Sequence, residues 1–303
     1  MEKIQGIIPA VFSPLKADGS INPTQVEKIV DFLLEEGVDG LYVCGSTGEG
    51  PLLSTAERKK IAEAYITAVE GEIPVIIQIG HESTAEAQEL ARHAADLNPT
   101  AAAAVPPSYF NYNSLDNLIA TLQEITAPIP ELPFYYYHIP SINGVNFDMS
   151  AFLKIANKKL PNLAGIKFSS TVLYEFQECV DYQDGEYRML FGSDEMFLSG
   201  LVAGGDGAIG STFNFAAPLY QKIRDEFRKG ELKQARINQS RAISFIKVMK
   251  EYGGQPAFKG MMKILGVDCG PNRLPLQTLK SEKLNELEER LQQIGFFEWG
   301  RNR

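Results

Sequence analysis

Cysteine is scarce in this 303-residue chain. The three residues, Cys44, Cys179 and Cys269, lie far apart and form no CxxC pair. That argues against a disulfide framework and against a thiolate zinc site, and makes reduced thiols and a cytoplasmic setting the expectation. Histidine is equally sparse: His81, His93 and His138 make no HExxH or other close ligand pair, so no metal is expected. Cationic residues are outnumbered, 29 Lys and Arg against 38 Asp and Glu, giving a net charge of −9. Such a balance argues against nucleic acid or an anionic membrane surface as a main partner. No stretch approaches the length of a membrane span. The apolar run in MEKIQGIIPAVFSP is short and broken by Pro9 and Pro14, so no secretory leader is expected. Asn238-Gln239-Ser240 matches a glycosylation sequon, which a chain outside the secretory route never has occupied.

What the chain does have is alternation. Apolar, β-branched segments at Ile4–Phe12, Gly40–Cys44, Pro74–Ile79, Thr100–Val105, Pro133–His138, Leu163–Thr171, Tyr187–Phe191 and Asp206–Gly210 read as strands. A helical pattern follows each one. Asn22-Pro23, Ser54 with Glu57, Ser83 with Glu86, Ser114 and Asp148 read as helix starts. The run at 100–105 is mostly alanine, which propensity alone assigns to helix; its place in the alternation makes it a strand. Buried parallel strands with crossover helices predict an α/β fold, a (β/α)₈ TIM barrel over residues 1–229. A doubly wound open sheet is the rival. From about Gly230 the alternation stops, and residues 230–303 read as a helical C-terminal extension packed on the barrel.

The sixth strand carries a lysine in apolar company. Period-two alternation puts Gly165, Lys167 and Ser169 on one face and Ala164, Ile166 and Phe168 on the other. A buried amine loses its proton readily and becomes able to attack a carbonyl. The bland alternative is a lysine at a frayed strand end, reaching out to water.

In a (β/α)₈ barrel, chemistry gathers at the C-terminal ends of the strands. The second strand ends in Gly45-Ser46-Thr47-Gly48-Glu49, hydroxyls and mobile backbone N–H groups that suit a small anion or simply make a turn. The fifth ends in Tyr135-Tyr136-Tyr137-His138; Tyr135 and Tyr137 share a face, and a tyrosine in a barrel mouth can pass a proton. The seventh ends in Gly192-Ser193-Asp194-Glu195, carboxylates that bind polyol hydroxyls or cap a helix. The eighth ends in Gly210-Ser211-Thr212. Gly205–Gly210 also matches GxGxxG, but it enters a strand and opens no helix, so it is no dinucleotide fingerprint.

With these motifs the chain resembles the N-acetylneuraminate lyase and dihydrodipicolinate synthase family, class I pyruvate aldolases on a (β/α)₈ barrel. The likeness runs through GSTGE at 45–49, YYxIP at 136–140, GIKFS at 165–169, GxDE at 192–195, GAIGST at 207–212 and the tail GPNRLPL at 270–276. The synthases carry GTTGE and an arginine five residues after the tyrosine. Here the turn is GSTGE and that position is Ile142, which looks like the lyase branch. One departure is Ser169, where many bacterial lyases have Thr. The resemblance implies reversible cleavage of open-chain N-acetylneuraminate to N-acetyl-D-mannosamine and pyruvate. It assigns the Schiff base to Lys167 and proton donation to Tyr137. Ser46 and Thr47 would hold the pyruvyl carboxylate, and Ser169, Gly192, Asp194, Glu195 and Ser211 the sugar. No cofactor is implied, because the lysine itself is the electron sink. Tyr109, after the fourth strand, implies a homotetramer in which it reaches a neighbour's site. Two alternatives stand beside this: a sibling pyruvate aldolase or dehydratase for another sugar acid, and a non-catalytic barrel that binds sialic acid.

Overall fold

The computed structural model describes residues 4–300. Eight strands alternate with helices: β1 (Gly6–Pro9), β2 (Leu41–Val43), β3 (Val75–Gln78), β4 (Ala101–Ala104), β5 (Phe134–His138), β6 (Leu163–Phe168), β7 (Arg188–Phe191) and β8 (Gly207–Gly210). All ladders are parallel, in the order β1-β8-β7-β6-β5-β4-β3-β2. The ring closes between β1 and β2 through a single bridge, Ala10 to Tyr42, with Val11 N–H donating to Tyr42 O at 3.0 Å. The outer ring comprises α1 (Val26–Glu35), α2 (Thr55–Val69), α3 (Thr84–Asp96), α4 (Leu115–Thr126), a short α5 (Pro140–Asn143), α6 (Met149–Lys159), α7 (Leu173–Asp181), α8 (Phe197–Val202) and α9 (Phe213–Arg228). Beyond them lie α10 (Leu232–Glu251), α11 (Gln255–Ile264), α12 (Ser281–Gln293) and α13 (Phe296–Trp299). This is the expected (β/α)₈ barrel with additional C-terminal helices. Among the described residues no helix is long and apolar enough to cross a membrane.

Alternation along each strand splits the core in two. Outward side chains such as Phe134, Tyr136, Ile166 and Phe168 pack against the helices. Inward ones, among them Ile8, Ile76, Tyr135, Leu190 and Ile209, fill the barrel as a separate apolar cluster. The alanines of β4 now have a reason. Ala101 and Ala103 point inward, and Ala103 stands in register with Tyr135, so small residues on β4 make room for the rings of β5. The tertiary need for small side chains overrides the helix preference of alanine.

Several local expectations shift. β6 ends at Phe168, leaving Ser169 to start the loop. A register shift opposite Phe134 and Tyr135 makes Ala164 an extra residue, so Leu163 joins the outer core and Ala164 packs on the inner cluster. The strict alternation that grouped Ala164 with Ile166 and Phe168 fails there for that reason. The capping box at α2 is complete, Ser54 with Glu57. At α3 only half forms: Ser83 accepts from Glu86 N–H, while the Glu86 carboxylate accepts from Thr55 Oγ1 instead. Asn22 caps nothing; its side chain accepts from Thr24 Oγ1, and a 3₁₀ turn at Pro23–Gln25 precedes α1.

Candidate active site

Lys167 points into the barrel from the end of β6 and is 3% exposed. The frayed-end reading is therefore wrong. Its Nζ lies 3.9 Å from the ring centroid of Tyr42 and 3.8 Å from that of Tyr137, and the two rings meet nearly at right angles. Burial strips water from the ammonium and brings its pKa from 10.5 down to about 7; the Asp194 charge pulls the other way. Near neutral pH a substantial fraction of this amine is free base.

Tyr137 sits next to Lys167 in the ladder, one strand away. Burial raises its phenol, and the hydroxyls of Ser46 and Ser169 work against that rise. Ser169 Oγ is buried and has no partner in full hydrogen-bond geometry, even though it influences Tyr137. Gly192 is what admits it: a Cβ there would fall 1.9 Å from Ser169 Oγ. A glycine at 192 thus has a steric cause. Ser46 is exposed at the mouth. Thr47 is buried behind it, its hydroxyl 2.6 Å from that of Ser211, so the ends of β2 and β8 are joined across the mouth.

Asp194 does not cap a helix. Its Oδ2 accepts from Thr212 N–H at 2.9 Å and from Thr212 Oγ1 at 2.7 Å, and Thr212 Oγ1 lies 2.7 Å from the Tyr220 hydroxyl. Burial lifts the Asp194 carboxyl from 3.8 to about 6, more than those bonds lower it. Glu195 pairs with Lys250 of α10 at 2.5 Å.

The turn after β2 also differs from a helix-terminus anion site. α2 begins only at Thr55, and Ser54 Oγ already accepts from the Glu57 N–H of its first turn. Glu49, in left-handed backbone, turns away from the mouth. It forms a fully buried ion pair with Lys259 at 2.8 Å and accepts from Arg273 N–H at 2.7 Å. Two glutamines add to this bracing: Gln239 Nε2 donates to the carbonyls of Asp194 and Glu195, and Gln255 Nε2 donates to that of Thr47. Sequence reasoning named Thr212 only as part of a hydroxyl-bearing strand end, and passed over Tyr42, Gln239, Gln255 and Lys259. Only Tyr42 carried a signal, an aromatic two residues before Cys44 on the strand that ends in GSTGE.

The residue pattern and the fold converge with known proteins. Residues 3–294 match the model of the dihydrodipicolinate synthetase family. The chain belongs to that family. Within this family it is 37% identical to the N-acetylneuraminate lyase of Rattus norvegicus over 300 residues, 97% of this chain and 94% of the rat protein. The human N-acetylneuraminate lyase matches at the same identity and coverage. Among solved structures, the N-acetylneuraminate lyase of Proteus mirabilis superposes with a TM-score of 0.94 at 39% identity, covering 97% of this chain and all of that one. The sialic acid aldolase of Aliivibrio salmonicida gives 0.94 at 37%, covering 98% of each.

Proposed function

We propose that this chain is a class I aldolase that cleaves open-chain N-acetylneuraminate reversibly to N-acetyl-D-mannosamine and pyruvate. The observation that carries the reading is the buried Lys167 amine, its pKa near 7, held at the barrel mouth beside Tyr137 and within the field of Asp194. The named relatives agree with it in reaction and in length.

Lys167 adds to the C2 ketone, takes up one proton and expels water, leaving a protonated imine. That cation draws the C3–C4 electron pair onto itself. The bond breaks, the C4 hydroxyl gives up its proton, and N-acetylmannosamine leaves as the aldehyde. Tyr137 shuttles that proton to C3 of the enamine, and water then releases pyruvate and restores the amine. Ser46 and Thr47 hold the pyruvyl carboxylate. Ser169, Gly192, Asp194, Glu195 and Ser211 line the path of the sugar.

The barrel of residues 1–229 and the extension of 230–303 act as one unit, the extension bracing the two substrate loops. The enzyme is a homotetramer in the cytoplasm. Support for the first comes from Tyr109 and Phe110, each 83% exposed and stacked edge to face, an aromatic pair suited to a neighbouring copy. Support for the second comes from three buried, unpaired cysteines, the state a reducing compartment preserves.

Borohydride reduction in the presence of pyruvate tests the reading. A mass adduct on Lys167 is expected, and Lys167→Ala should lose both the adduct and several powers of ten in cleavage rate. Folded wild-type protein that yields no adduct overturns it.

A further inference from the structure

We infer that Tyr42 is a catalytic residue of the Schiff-base step, its ring face forming with that of Tyr137 an aromatic corner that holds the cationic imine nitrogen. The inference rests on Lys167 being the nucleophile.

Tyr42 is fully buried on β2 within the inner apolar cluster, and packing alone does not call for its hydroxyl. Its hydroxyl is buried without a hydrogen-bond partner, a cost that a phenylalanine or leucine at this position avoids. What Tyr42 does contact is the reacting atom: Lys167 Nζ stands over the ring at 3.9 Å, well within cation–π range. The ring also dictates the turn beside it. A Cβ on Gly45 would fall 2.5 Å from the Tyr42 ring, so the first glycine of GSTGE is clearance for that ring.

The chemistry explains the placement. The imine must be protonated to accept the C3–C4 electrons, yet its nitrogen sits where burial disfavours positive charge. A carboxylate placed against the nitrogen would stabilise the resting ammonium as strongly as the imine and suppress attack. Two π faces are a milder counterpart. They leave the amine nucleophilic and still offset the desolvation of the planar cation. Tyr137 also has a hydroxyl near Ser46 and Ser169 for proton work. Tyr42 has no such partner, and its contribution is the face alone.

The test is the pyruvate concentration that half-saturates borohydride trapping at Lys167. Tyr42→Phe keeps the ring and serves as parent for a series with mono-, di- and trifluorinated phenylalanine at position 42. Ring volume changes little along that series, while the negative face fades. Half-saturation should climb stepwise with fluorination, and Tyr42→Leu should raise it by about 3- to 30-fold. Tyr137→Phe, which keeps a face, should slow cleavage with a smaller change in trapping. A flat response along the fluorinated series, or a folded Tyr42→Leu that traps as readily as Tyr42→Phe, overturns the role of Tyr42. Should the leucine variant not fold, the fluorinated series decides alone. Absence of trapping in the wild type at any pyruvate concentration is a different failure, that of Lys167 as nucleophile.

Discussion

Lys167 and Asp194 titrate in the same narrow range, one brought down to about 7 and the other up to about 6, each mainly by loss of water. As pH rises through this range the amine becomes free and the carboxylate charged. The kcat/KM for cleavage therefore rises from about pH 6 to pH 7, with a limb that belongs to the coupled pair. Because the Asp194 charge holds the Lys167 proton on, Asp194→Asn should move that limb down by about one pH unit, along with weaker sugar binding. A limb that stays put or moves up contradicts the coupling. The same shifts act on stability in opposite senses. Between about 7 and 10.5 the unfolded chain holds a lysine proton that the folded one lacks, so Lys167 makes stability rise with pH there. Between 3.8 and about 6 the folded chain holds an Asp194 proton that the unfolded one lacks, so stability falls as pH rises through that window.

At the scale of elements, α10 and α11 each hold one loop at the barrel mouth. Gln239 of α10 bonds the carbonyls of Asp194 and Glu195 and receives Leu198 N–H; Gln255 of α11 bonds the carbonyl of Thr47. Gln239→Leu loses three bonds of roughly 1 kcal/mol each, so it should raise the KM for N-acetylmannosamine by at least about tenfold and leave that for pyruvate within a factor of about two. Gln255→Leu should do the converse. Synthesis-direction kinetics with both substrates varied makes the comparison; a parallel rise in both constants would mean general loosening instead. None of this was legible in the sequence, since a glutamine on an amphipathic helix looks like any solvated residue until the loop it meets is known. The lysine was legible because parity along β6 holds from Gly165 to Ser169. Parity misled at Ala164, where the bulge spends an extra residue. The Asp194 side chain misled as a cap because its partner, Thr212, belongs to another strand end, and sequence distance hides such pairs.

The whole molecule depends on a charge pair that lies away from the mouth. Lys259 and Glu49 are each 1% exposed, and Lys259 also donates to the carbonyls of Ser13 and Pro271. Removing one member of a buried pair leaves the other uncompensated, so Lys259→Met should lower the unfolding free energy by about 3–5 kcal/mol. Adding Glu49→Gln should recover part of that loss, because the neutral amide no longer needs a counter-charge. Urea unfolding of the two variants decides the matter, and a neutral single substitution would sink it. The eight-strand alternation was readable from composition and punctuation alone. That the last quarter of the chain completes the first quarter's turn was not, since ion pairs leave no periodic trace.

The pair joins residues 210 positions apart. A ribosome adds that many residues in about 10–40 s. During this interval the GSTGE turn has been made but its Glu49 carboxylate has no Lys259 to pair with, and the glutamine that ties down Thr47 has not yet emerged. Lys167, the tyrosines of β5 and the loops after β7 and β8 all leave the tunnel before Gln255 and Lys259. A chain stopped before α11 therefore carries every candidate site residue without the two contacts that tie the GSTGE turn to the C-terminal helices.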